Sequence, residues 1–345
     1  MGKINLVNLP DDLLCSQILT RIPLKEAVRF SAVSRKWCKV WTRLPHLKFT
    51  DEFFNSISTN ANMAEDIINK IIHMQCVNLE SFELHNCDRC ESSIHKWLLW
   101  ISLSGVKCLH LKSSTIRMQM EVSESIFSCM TLTSLSLEYF KITEVPARFL
   151  GFSQLVSLYL DQVELSEQAF EVILKLCGCL QYLTVDACSS PSNFLIISST
   201  LKSLALVRLD KTCLVEVNCP RLESIKVCQI LELVIVNICL PVCVHLEADF
   251  HHLQHFVTVK SLRKVIYFEV YSMNGESYHS VVLLCSRIMK GAPLLKTVRI
   301  NLVNSIQIFE PDEIDYFLRT VNGLLCLAGD SPKVRFSLSW GSTAK

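Results

Sequence analysis

The sequence predicts an α/β fold in which a module of three short helices precedes an irregular solenoid of short parallel strands. Helical spacing of apolar residues, bounded by prolines, marks the first module within about the first 50 residues. From Leu79 onward, apolar residues at relative positions 0, 3 and 5 recur at intervals of about 19 to 27 residues, with one longer interval near the end. A short strand cannot bury its leucines alone, so stacked repeats are needed to form one core.

The first helix is predicted to begin at Pro10 and the two aspartates after it. Proline fits the first turn of a helix, and a carboxylate there meets free N–H groups and the positive end of the dipole. Leu14, Ile18 and Ile22 follow at four-residue spacing and form one apolar stripe, and Pro23 ends the helix.

Two further helices complete this module. One is predicted over residues 24–33, and Ser34 can cap another, on which Trp37 and Trp41 share a face at positions i and i+4. Three helices of about 40 residues in total make a marginal core at best. Their excess of apolar residues therefore predicts a bound partner.

Residues 9–41 resemble an F-box, the helical module that docks a Skp-type adaptor and so joins a substrate receptor to a cullin-based ubiquitin ligase. Their sequence is LPDDLLCSQILTRIPLKEAVRFSAVSRKWCKVW. The Leu-Pro opening, the Ile-Pro that ends the first helix and the Val-Ser-Arg-Lys-Trp before a second tryptophan match in type and spacing. With the Leu-Pro-His-Leu-Lys-Phe that follows, the segment resembles the version common in plant F-box/leucine-rich-repeat proteins. The alternative is a helical cap that binds nothing.

The resemblance implies which residues contact the adaptor or support that contact. They are Leu9, Pro10, Leu13, Ile18, Leu19, Ile22, Pro23, Val28, Val33, Ser34, Trp37 and Trp41. Some of them, Trp37 in particular, are also compatible with the interior of the helical module. Residues 21–48 hold eight basic residues against one acid, which suits an acidic adaptor or a solvated helix face. A nucleic-acid-binding protein is a disfavoured interpretation of the same basic residues.

Composition fits an intracellular chain of two modules. With 345 residues, 50% of them hydrophobic, there is room for more than one domain's worth of core. A net charge of +1 argues against a general nucleic-acid or membrane-surface role. The 17 cysteines are scattered singly through apolar segments, which favours reduced, buried thiols over a disulfide framework.

Targeting signals are not recognised in the sequence. The helical module begins too early for a signal peptide, and Leu6 occupies the position where a myristoylation signal has Ser or Thr. The longest apolar run, residues 233–244, is interrupted by Asn237 and Pro241 and is too short to span a bilayer. We expect no membrane partner and a location in the cytoplasm, the nucleus or both.

Four segments are predicted along the chain. Residues 1–50 form the F-box, and 51–78 form a linking strand and helix, which joins the modules rigidly because no Gly-, Ser- or Pro-rich linker is present. Leucine-rich repeats follow over 79–302. Residues 303–345 form a degenerate C-terminal cap, which is only partly similar to the FBD region of many plant relatives.

The repeats imply a right-handed α/β horseshoe, with one short parallel strand per turn. Helical spacing over residues 166–174 predicts a helix on the convex side. Only Cys87 and Cys188 supply the Asn or Cys expected eight positions after a repeat start, so the backbone ladder is expected to be irregular. The predicted starts are Leu79, Val106, Leu132, Leu155, Leu180, Leu201, Leu222, Cys243, Leu262 and Leu295.

Metal binding and catalysis are not expected. Cys87, Cys90 and His95 make three quarters of a zinc-knuckle pattern, but the fourth ligand is missing and Cys87 already has a place in the repeat. The run His251-His252-x-x-His255 lacks the glutamate of a metalloprotease helix. Neither a nucleophile elbow nor a phosphate-binding glycine loop is present, so we expect no cofactor and a non-catalytic protein.

A substrate face is predicted on the strands, because side chains alternate and positions 2, 4 and 6 of each repeat point outward. Position 6 brings Glu138, Asp161 and Asp186 from consecutive repeats side by side, with Tyr159 and Tyr182 next to them. Carboxylates beside tyrosines suit a basic peptide segment. A merely solvated strand face is the alternative. Position 6 also includes His85, Lys112, Val207, Cys228, Asp249, Phe268 and Asn301.

The resemblance implies a substrate-recognition subunit of an SCF-type ubiquitin ligase. It would bind the Skp-type adaptor, and cullin through it, and hold a protein substrate close to ubiquitin chemistry on other subunits. The alternatives are an F-box protein acting outside ubiquitin ligation and a leucine-rich-repeat scaffold or sensor that never meets the adaptor. The substrate, and any need for a small-molecule co-ligand, stay open.

Overall fold

The computed structural model describes most of the repeat region and part of the N-terminal module. The described residues are 21–22, 26–27, 41–57, 61–75, 79–114, 119–189, 193–209, 213–230, 233–239, 242–249, 262, 264–272, 292, 294–303, 319 and 335–341. They fall into two compact units, Met1–Cys179 (unit 1) and Leu180–Lys345 (unit 2). The helices predicted between Pro10 and Trp41 lie almost wholly outside the described residues.

Unit 1 is a parallel sheet with a second, smaller sheet and helices beside it. Strands β1, β2, β3, β5 and β7 pair in that order, and β4, β6 and β8 form the smaller sheet. The strands are β1 His46–Phe49, β2 Ser81–Leu84, β3 Cys108–Lys112, β4 Met120–Glu121, β5 Ser134–Glu138, β6 Phe140–Ile142, β7 Ser157–Asp161 and β8 Glu164–Leu165.

The helices of unit 1 connect successive strands. They are α1 Asp51–Ser56, α2 Ala61–Met74, α3 Glu91–Leu103 and α4 Glu167–Leu176, with 3-10 turns at Cys87–Cys90 and Glu124–Ser128. The helix predicted from the spacing of residues 166–174 is α4. Ser166 caps it, because its hydroxyl oxygen accepts a hydrogen bond from the Ala169 N–H at 3.1 Å.

Unit 2 also has a main sheet of parallel strands, and several of the segments between these strands are themselves strands rather than helices. Strands β9, β11, β13, β15, β16, β17 and β18 pair in parallel, and β10, β12 and β14 form a separate parallel sheet. The strands are β9 Tyr182–Asp186, β10 Asn193–Ile197, β11 Ser203–Val207, β12 Cys213–Asn218, β13 Ser224–Cys228, β14 Leu233–Cys239, β15 His245–Asp249, β16 Tyr267–Ser272, β17 Thr297–Val303 and β18 Arg335–Gly341.

The predicted repeat positions 0, 3 and 5 supply the core of both units. Leu155, Leu158 and Leu160 are at most 2% exposed, and the corresponding residues of the other repeats from Leu79 to Cys243 are buried in the same way. Main-chain hydrogen bonds keep this register, since the N–H groups at positions 1 and 2 of one repeat both donate to a carbonyl of the previous repeat. Val156 and Ser157 donate to Thr133 in this way, at 2.8 and 3.0 Å.

The same turn follows six strands of the main sheets, whereas the sequence predicted an irregular ladder. Residues with positive φ recur at position 7, and all of those recorded there are non-glycine: Asn86, Tyr139, Gln162, Ala187, Arg208 and Gln229. The N–H of Ala187 donates to the Val207 carbonyl at 2.9 Å, and that of Arg208 to the Cys228 carbonyl at 3.0 Å. Because main-chain groups make these bonds and a buried apolar residue follows, the missing asparagines are not needed.

Three predicted positions differ in the structure. The repeat assigned to Leu262 begins at Val265, because Tyr267 pairs with His245 in the sheet register. Phe268, predicted to face outward, is therefore in the core at 0% exposure. Cys228 and Asp249, also predicted to face outward, are buried.

The segment between the F-box and the repeats also differs from its prediction. Its strand is β1, which lies before residue 51, and residues 51–56 are helical. The helix predicted in this segment is present as α2. At the other end of the chain, β18 lies within the predicted C-terminal cap and pairs with β17, so the parallel sheet of unit 2 extends into that segment. Among the helices described, none has both the length and the apolar character needed to cross a bilayer.

Candidate functional site

The predicted adaptor-binding residues lie mostly outside the described part of the chain. Ile22 and Trp41 are the two that are described. Trp41 is buried at 5% exposure, and its carbonyl accepts a hydrogen bond from the Leu44 N–H at 3.1 Å. The others are Leu9, Pro10, Leu13, Ile18, Leu19, Pro23, Val28, Val33, Ser34 and Trp37.

The end of this N-terminal segment is built into the repeat sheet. Strand β1 pairs in parallel with β2, with Leu47 opposite Phe82 and Phe49 opposite Leu84. Leu47 and Phe49 are fully buried, and the Phe49 ring lies 5.8 Å from the Phe82 ring. Four consecutive ladder positions and a buried aromatic pair fix the direction of the chain at this junction.

Outward side chains of unit 1 form a group that we call the histidine cluster: Asp51, Glu83, His85, His110 and Glu138. His85 Nε2 lies 3.2 Å from Glu83 Oε1, and His110 Nδ1 lies 3.7 Å from the same oxygen. The other ring nitrogens also face carboxylates. His85 Nδ1 is 3.1 Å from Asp51 Oδ2, and His110 Nε2 is 2.9 Å from Glu138 Oε1. The two rings meet edge to face with centroids 5.5 Å apart.

Two lysines flank the histidine cluster. Lys48 Nζ lies 3.1 Å from Glu83 Oε2, and Lys112 Nζ lies 3.2 Å from Glu138 Oε2. Burial alone would raise the pKa of Glu83, but hydrogen bonding to Lys48 and the positive charge of that lysine lower it below the usual value. The pKa of Asp51 is likewise lowered, because the interactions with His85 outweigh the effect of burial.

The predicted acidic row is partly neutralised by basic partners. Glu138 is engaged by His110 and Lys112, and Asp161 is its sheet neighbour on β7. In unit 2, Asp186 Oδ1 lies 2.6 Å from Arg208 Nε. Of the two predicted tyrosines, Tyr182 is 47% exposed and Tyr159 is half-buried. The face of unit 1 therefore carries both signs of charge rather than carboxylates alone.

Unit 2 carries a second group on its outer face, the tyrosine cluster: His245, Glu247, Tyr267, Glu269 and Tyr271. The rings of His245 and Tyr267 stack 4.2 Å apart at an interplanar angle of 12°. Glu247 accepts from His245 Nε2 at 2.6 Å, and the Tyr267 hydroxyl donates to Glu269. Two cations complete the arrangement: Lys226 Nζ lies 2.8 Å from Glu247, and Arg299 lies over the Tyr267 ring at 5.8 Å.

The hydrogen bonds of the tyrosine cluster shift its acid–base equilibria. Hydrogen bonding to His245, with the contribution of Lys226, lowers the pKa of Glu247 to about 2. Burial and the hydrogen bond to Glu269 raise the pKa of Tyr267 to about 12, so this phenol stays protonated at neutral pH. Burial and the charge of Glu247 raise the pKa of Tyr271 as well.

Among the described residues, the candidate zinc ligands Cys87, Cys90 and His95 do not form a group whose ligand atoms lie within 4.8 Å of one another. Cys87 is fully buried, its thiol donates to the Leu84 carbonyl at 3.3 Å, and burial raises its pKa well above the usual value. Burial raises the pKa of Cys90 to about 12. His95 is exposed, and its Nδ1 lies 2.9 Å from the Ser123 hydroxyl and 3.0 Å from the Ser125 hydroxyl. His251, His252 and His255 lie outside the described residues.

Sequence reasoning did not single out Glu83 and His110. Both occupy position 4 of consecutive repeats, and they are direct partners in the register between β2 and β3. Aligning position 4 across repeats, as was done for position 6, is the signal that brings them together with His85. The contribution of Asp51 depends on α1, which the sequence did not predict as a helix.

Comparison with known protein families gives two matches, one in the N-terminal segment and one in the repeats. The F-box domain family matches residues 6–49. The family described as "FBD-associated F-box protein At5g56370, LRR repeats" matches residues 94–260. The first match includes β1, and the second covers repeats of both units.

Similar curated proteins come from Arabidopsis thaliana. F-box/FBD/LRR-repeat protein At1g13570 is 28% identical over 227 residues, covering 64% of this chain and 52% of that protein. F-box/FBD/LRR-repeat protein At2g04230 is 30% identical over 221 residues, covering 60% and 48%. F-box/LRR-repeat protein 25 is 28% identical over 204 residues, covering 59% and 74%. The chain spans about half the length of the first two of these relatives.

Proposed function

We propose that this chain, which carries an F-box followed by leucine-rich repeats of the plant FBD-associated type, is the substrate-recognition subunit of an SCF-type ubiquitin ligase. The F-box docks a Skp-type adaptor and, through it, cullin, and the outer face of the repeats binds a protein substrate. The protein is non-catalytic in this role. It raises the local concentration of the substrate at ubiquitin chemistry carried out by other subunits.

The observation that carries this proposal is the junction between the two modules. The last residues of the F-box match are β1, whose side chains Leu47 and Phe49 are buried against the repeat sheet. A receptor must hold its substrate at a defined position from the adaptor. Strand pairing between β1 and β2 serves that purpose better than a flexible tether, whose end-to-end distance fluctuates widely.

The proposed substrate contacts are Glu138, Tyr159, Asp161, Tyr182 and Asp186. Tyrosines supply contact area at low entropic cost, and the charged groups select the partner. Since Glu138 and Asp186 already have basic neighbours, binding a basic segment requires that segment to displace or share them. A partner that presents charges of both signs matches the unit 1 face better than a purely basic peptide.

Adaptor binding is tested by co-purification of the full chain with a plant Skp-type adaptor. The variant Pro10→Ala with Leu13→Ala alters the F-box, and Pro146→Ala with Leu150→Ala is a matched control in the repeats, where Leu150 is 82% exposed. We expect the wild type and the control to retain the adaptor and the F-box variant to lose it. Circular dichroism checks that all three stay folded.

The result that would overturn the receptor proposal is a folded wild type that fails to bind the adaptor. The N-terminal segment would then be a cap, and the chain a repeat scaffold. If adaptor binding is present but the F-box variant does not slow turnover of captured proteins, the chain acts outside ubiquitin ligation.

Substrate capture is tested separately by reversing charges on the outer face. Asp161→Lys with Asp186→Lys is expected to abolish recovery of the bound substrate and leave adaptor binding unchanged. Glu171→Lys is the control, since Glu171 is exposed and lies on α4 rather than on these strands. Unchanged substrate recovery by the double variant would remove these residues from the site. We further propose a cytoplasmic or nuclear location, which imaging of a fluorescent fusion tests.

A further inference from the structure

The histidine cluster has the composition and spacing of a metal site. Glu83 Oε1 lies 3.2 Å from His85 Nε2 and 3.7 Å from His110 Nδ1, and one ligand atom from each residue lies within 4.8 Å of the other two. Zinc–nitrogen and zinc–oxygen bonds of about 2.0 to 2.1 Å in a tetrahedral site put neighbouring ligand atoms about 3.3 Å apart. The two distances to Glu83 Oε1 are close to this value, and the third, between the two histidine nitrogens, is at most 4.8 Å.

In each histidine, the ring nitrogen that faces Glu83 is the inner nitrogen (His85 Nε2, His110 Nδ1), and the other is the outer nitrogen. Both outer nitrogens contact a carboxylate, as the second nitrogen of a metal-binding histidine usually does. A ligating imidazole donates its second N–H to a carboxylate or carbonyl, which fixes its tautomer and orientation. His85 Nδ1 faces Asp51 Oδ2 at 3.1 Å, and His110 Nε2 faces Glu138 Oε1 at 2.9 Å. With protons on these outer nitrogens, the lone pairs of both inner nitrogens point toward Glu83.

The supporting carboxylates are themselves fixed by further contacts. Asn86 donates to Asp51 Oδ1 at 2.8 Å, and Lys112 binds the second oxygen of Glu138 at 3.2 Å. Lys48 occupies Oε2 of Glu83 at 3.1 Å, which leaves Oε1 to the histidines. Each proposed ligand is thus oriented by a partner that does not compete for the ion.

A competing arrangement without an ion is visible in the same contacts. The Asp51 N–H lies 3.3 Å from His85 Nδ1, so this nitrogen can accept a hydrogen bond and leave the proton on Nε2, facing Glu83. In that tautomer Glu83 and His85 form an ordinary hydrogen bond. The two arrangements differ in whether the inner nitrogen carries a proton, so ion binding decides between them.

We propose that Glu83, His85 and His110 bind one divalent transition-metal ion of the zinc class on the outer face of unit 1. Two imidazoles and one carboxylate favour zinc, cobalt or nickel over calcium or magnesium, which prefer oxygen ligands alone. The side chains are 13% to 30% exposed, so the fourth coordination position opens outward to water or to a donor group of a bound protein. Binding of the ion itself does not require the adaptor.

Calorimetric titration of the reduced, full-length chain with zinc chloride tests the proposal. We expect one ion per chain, with affinity at least tenfold lower for His85→Ala, His110→Ala or Glu83→Gln. Glu138→Gln keeps all three ligands, and we expect about a tenfold loss because it removes only the support of His110. His95→Ala is the matched control, since His95 is an exposed histidine bonded to serines and is expected to leave binding unchanged.

Cobalt loading separates this site from the cysteines, of which Cys108 and Cys179 are exposed. Cobalt at the proposed site gives visible d–d absorption and X-ray absorption with imidazole scattering. A thiolate charge-transfer band or sulfur scattering would assign the ion to cysteines and overturn the proposal. Absence of zinc binding by the wild type, or equal binding by the double variant His85→Ala with His110→Ala, would also overturn it. Circular dichroism of each variant shows that the fold is retained.

Discussion

Units 1 and 2 bury the same repeat positions but differ in the segments that return the chain from one strand to the next. In unit 1, α3 and α4 follow strands of the main sheet, together with the short strands β4, β6 and β8, whereas in unit 2 this place is taken by the longer strands β10, β12 and β14. Repeat length explains the difference. An α-helix advances about 1.5 Å per residue and a strand about 3.3 Å, so repeats of about 21 residues must return in extended form, whereas longer repeats have room for a helix.

The outer faces of the two units also differ, and this difference does not depend on whether the chain returns as a helix or as a strand. Unit 1 arranges its carboxylates around two histidines, and unit 2 arranges them around two tyrosines. Apart from buried ones such as Cys228 and Asp249, side chains at positions 2, 4 and 6 contribute little to the core, so they can change without changing the fold. Strand pairing thus fixes where outward groups meet, while the residue type at those positions fixes their chemistry.

The largest expected effect concerns the extended return segments of unit 2. Ile196 on β10 is fully buried and its neighbour Ile197 is 56% exposed. We expect Ile196→Ala to lower the free energy of unfolding by about 3 kcal/mol, because it removes buried contacts and leaves a cavity. Ile197→Ala is the matched control and should stay within about 0.5 kcal/mol of the wild type. Equal effects in denaturant unfolding would show that β10 does not bury alternate residues.

The corresponding test in unit 1 uses the glycine that approaches α4. Gly151 has φ +94°, and a Cβ placed there would overlap the carbonyl oxygen of Leu176. We expect Gly151→Ala to destabilise the protein by about 3 kcal/mol, from backbone strain and displacement of the helix end. Gly178→Ala is the control, because a Cβ there meets nothing within 4 Å. Thermal unfolding of the two variants measures the difference, and similar melting temperatures would contradict the close packing.

The tyrosine cluster is expected to lose stability in acid through Glu247. The pKa of Glu247 is about 2 when folded, against an ordinary value of 4.5, so its stabilising contribution is present above about pH 4.5 and is lost as the pH falls toward 2. Glu247 is 15% exposed, and we expect Glu247→Gln to cost about 2 kcal/mol at pH 6. The difference from the wild type should shrink toward zero near pH 2. A difference that is constant with pH in urea unfolding would contradict the assignment.

The smallest expected effect concerns the start of α4. Ser166→Ala removes the hydroxyl that accepts from the Ala169 N–H at 3.1 Å and donates to the Thr143 carbonyl at 2.7 Å. We expect a loss of about 1 kcal/mol, typical of a helix N-cap. Ser166→Asp keeps an acceptor at the cap and should recover most of the stability. If the alanine variant matches the wild type in chemical unfolding, the cap contributes nothing measurable.

Much of the fold was predictable because buried apolar residues recur at regular spacing in the sequence. Positions 0, 3 and 5 marked the strands of the main sheets from β2 to β15, and the spacing of residues 166–174 marked α4. The repeat at Val265 was misplaced because Leu262 also satisfies the spacing, and both residues are buried. The strands β10, β12 and β14 were not predicted, since a short apolar run alone does not tell a return strand from a loop.

The candidate site was predictable only in part. Position 6 correctly placed Glu138 next to Asp161, but it could not show that Lys112 and His110 bind Glu138, because those bonds depend on rotamers and on the neighbouring strand. His85 meets Asp51 across a separation of 34 residues, through the pairing of β1 with β2 and the turn into α1.

The sequence by itself determined the F-box resemblance, the repeat positions that form the core and the side chains that alternate outward, because each of these depends on local spacing. Tertiary structure decided the rest. It set the register that places Glu83 beside His110, the α1 position that brings Asp51 to His85, and the regular turns at position 7. Such contacts depend on how neighbouring repeats pair, and the spacing of residues within a single repeat does not predict them.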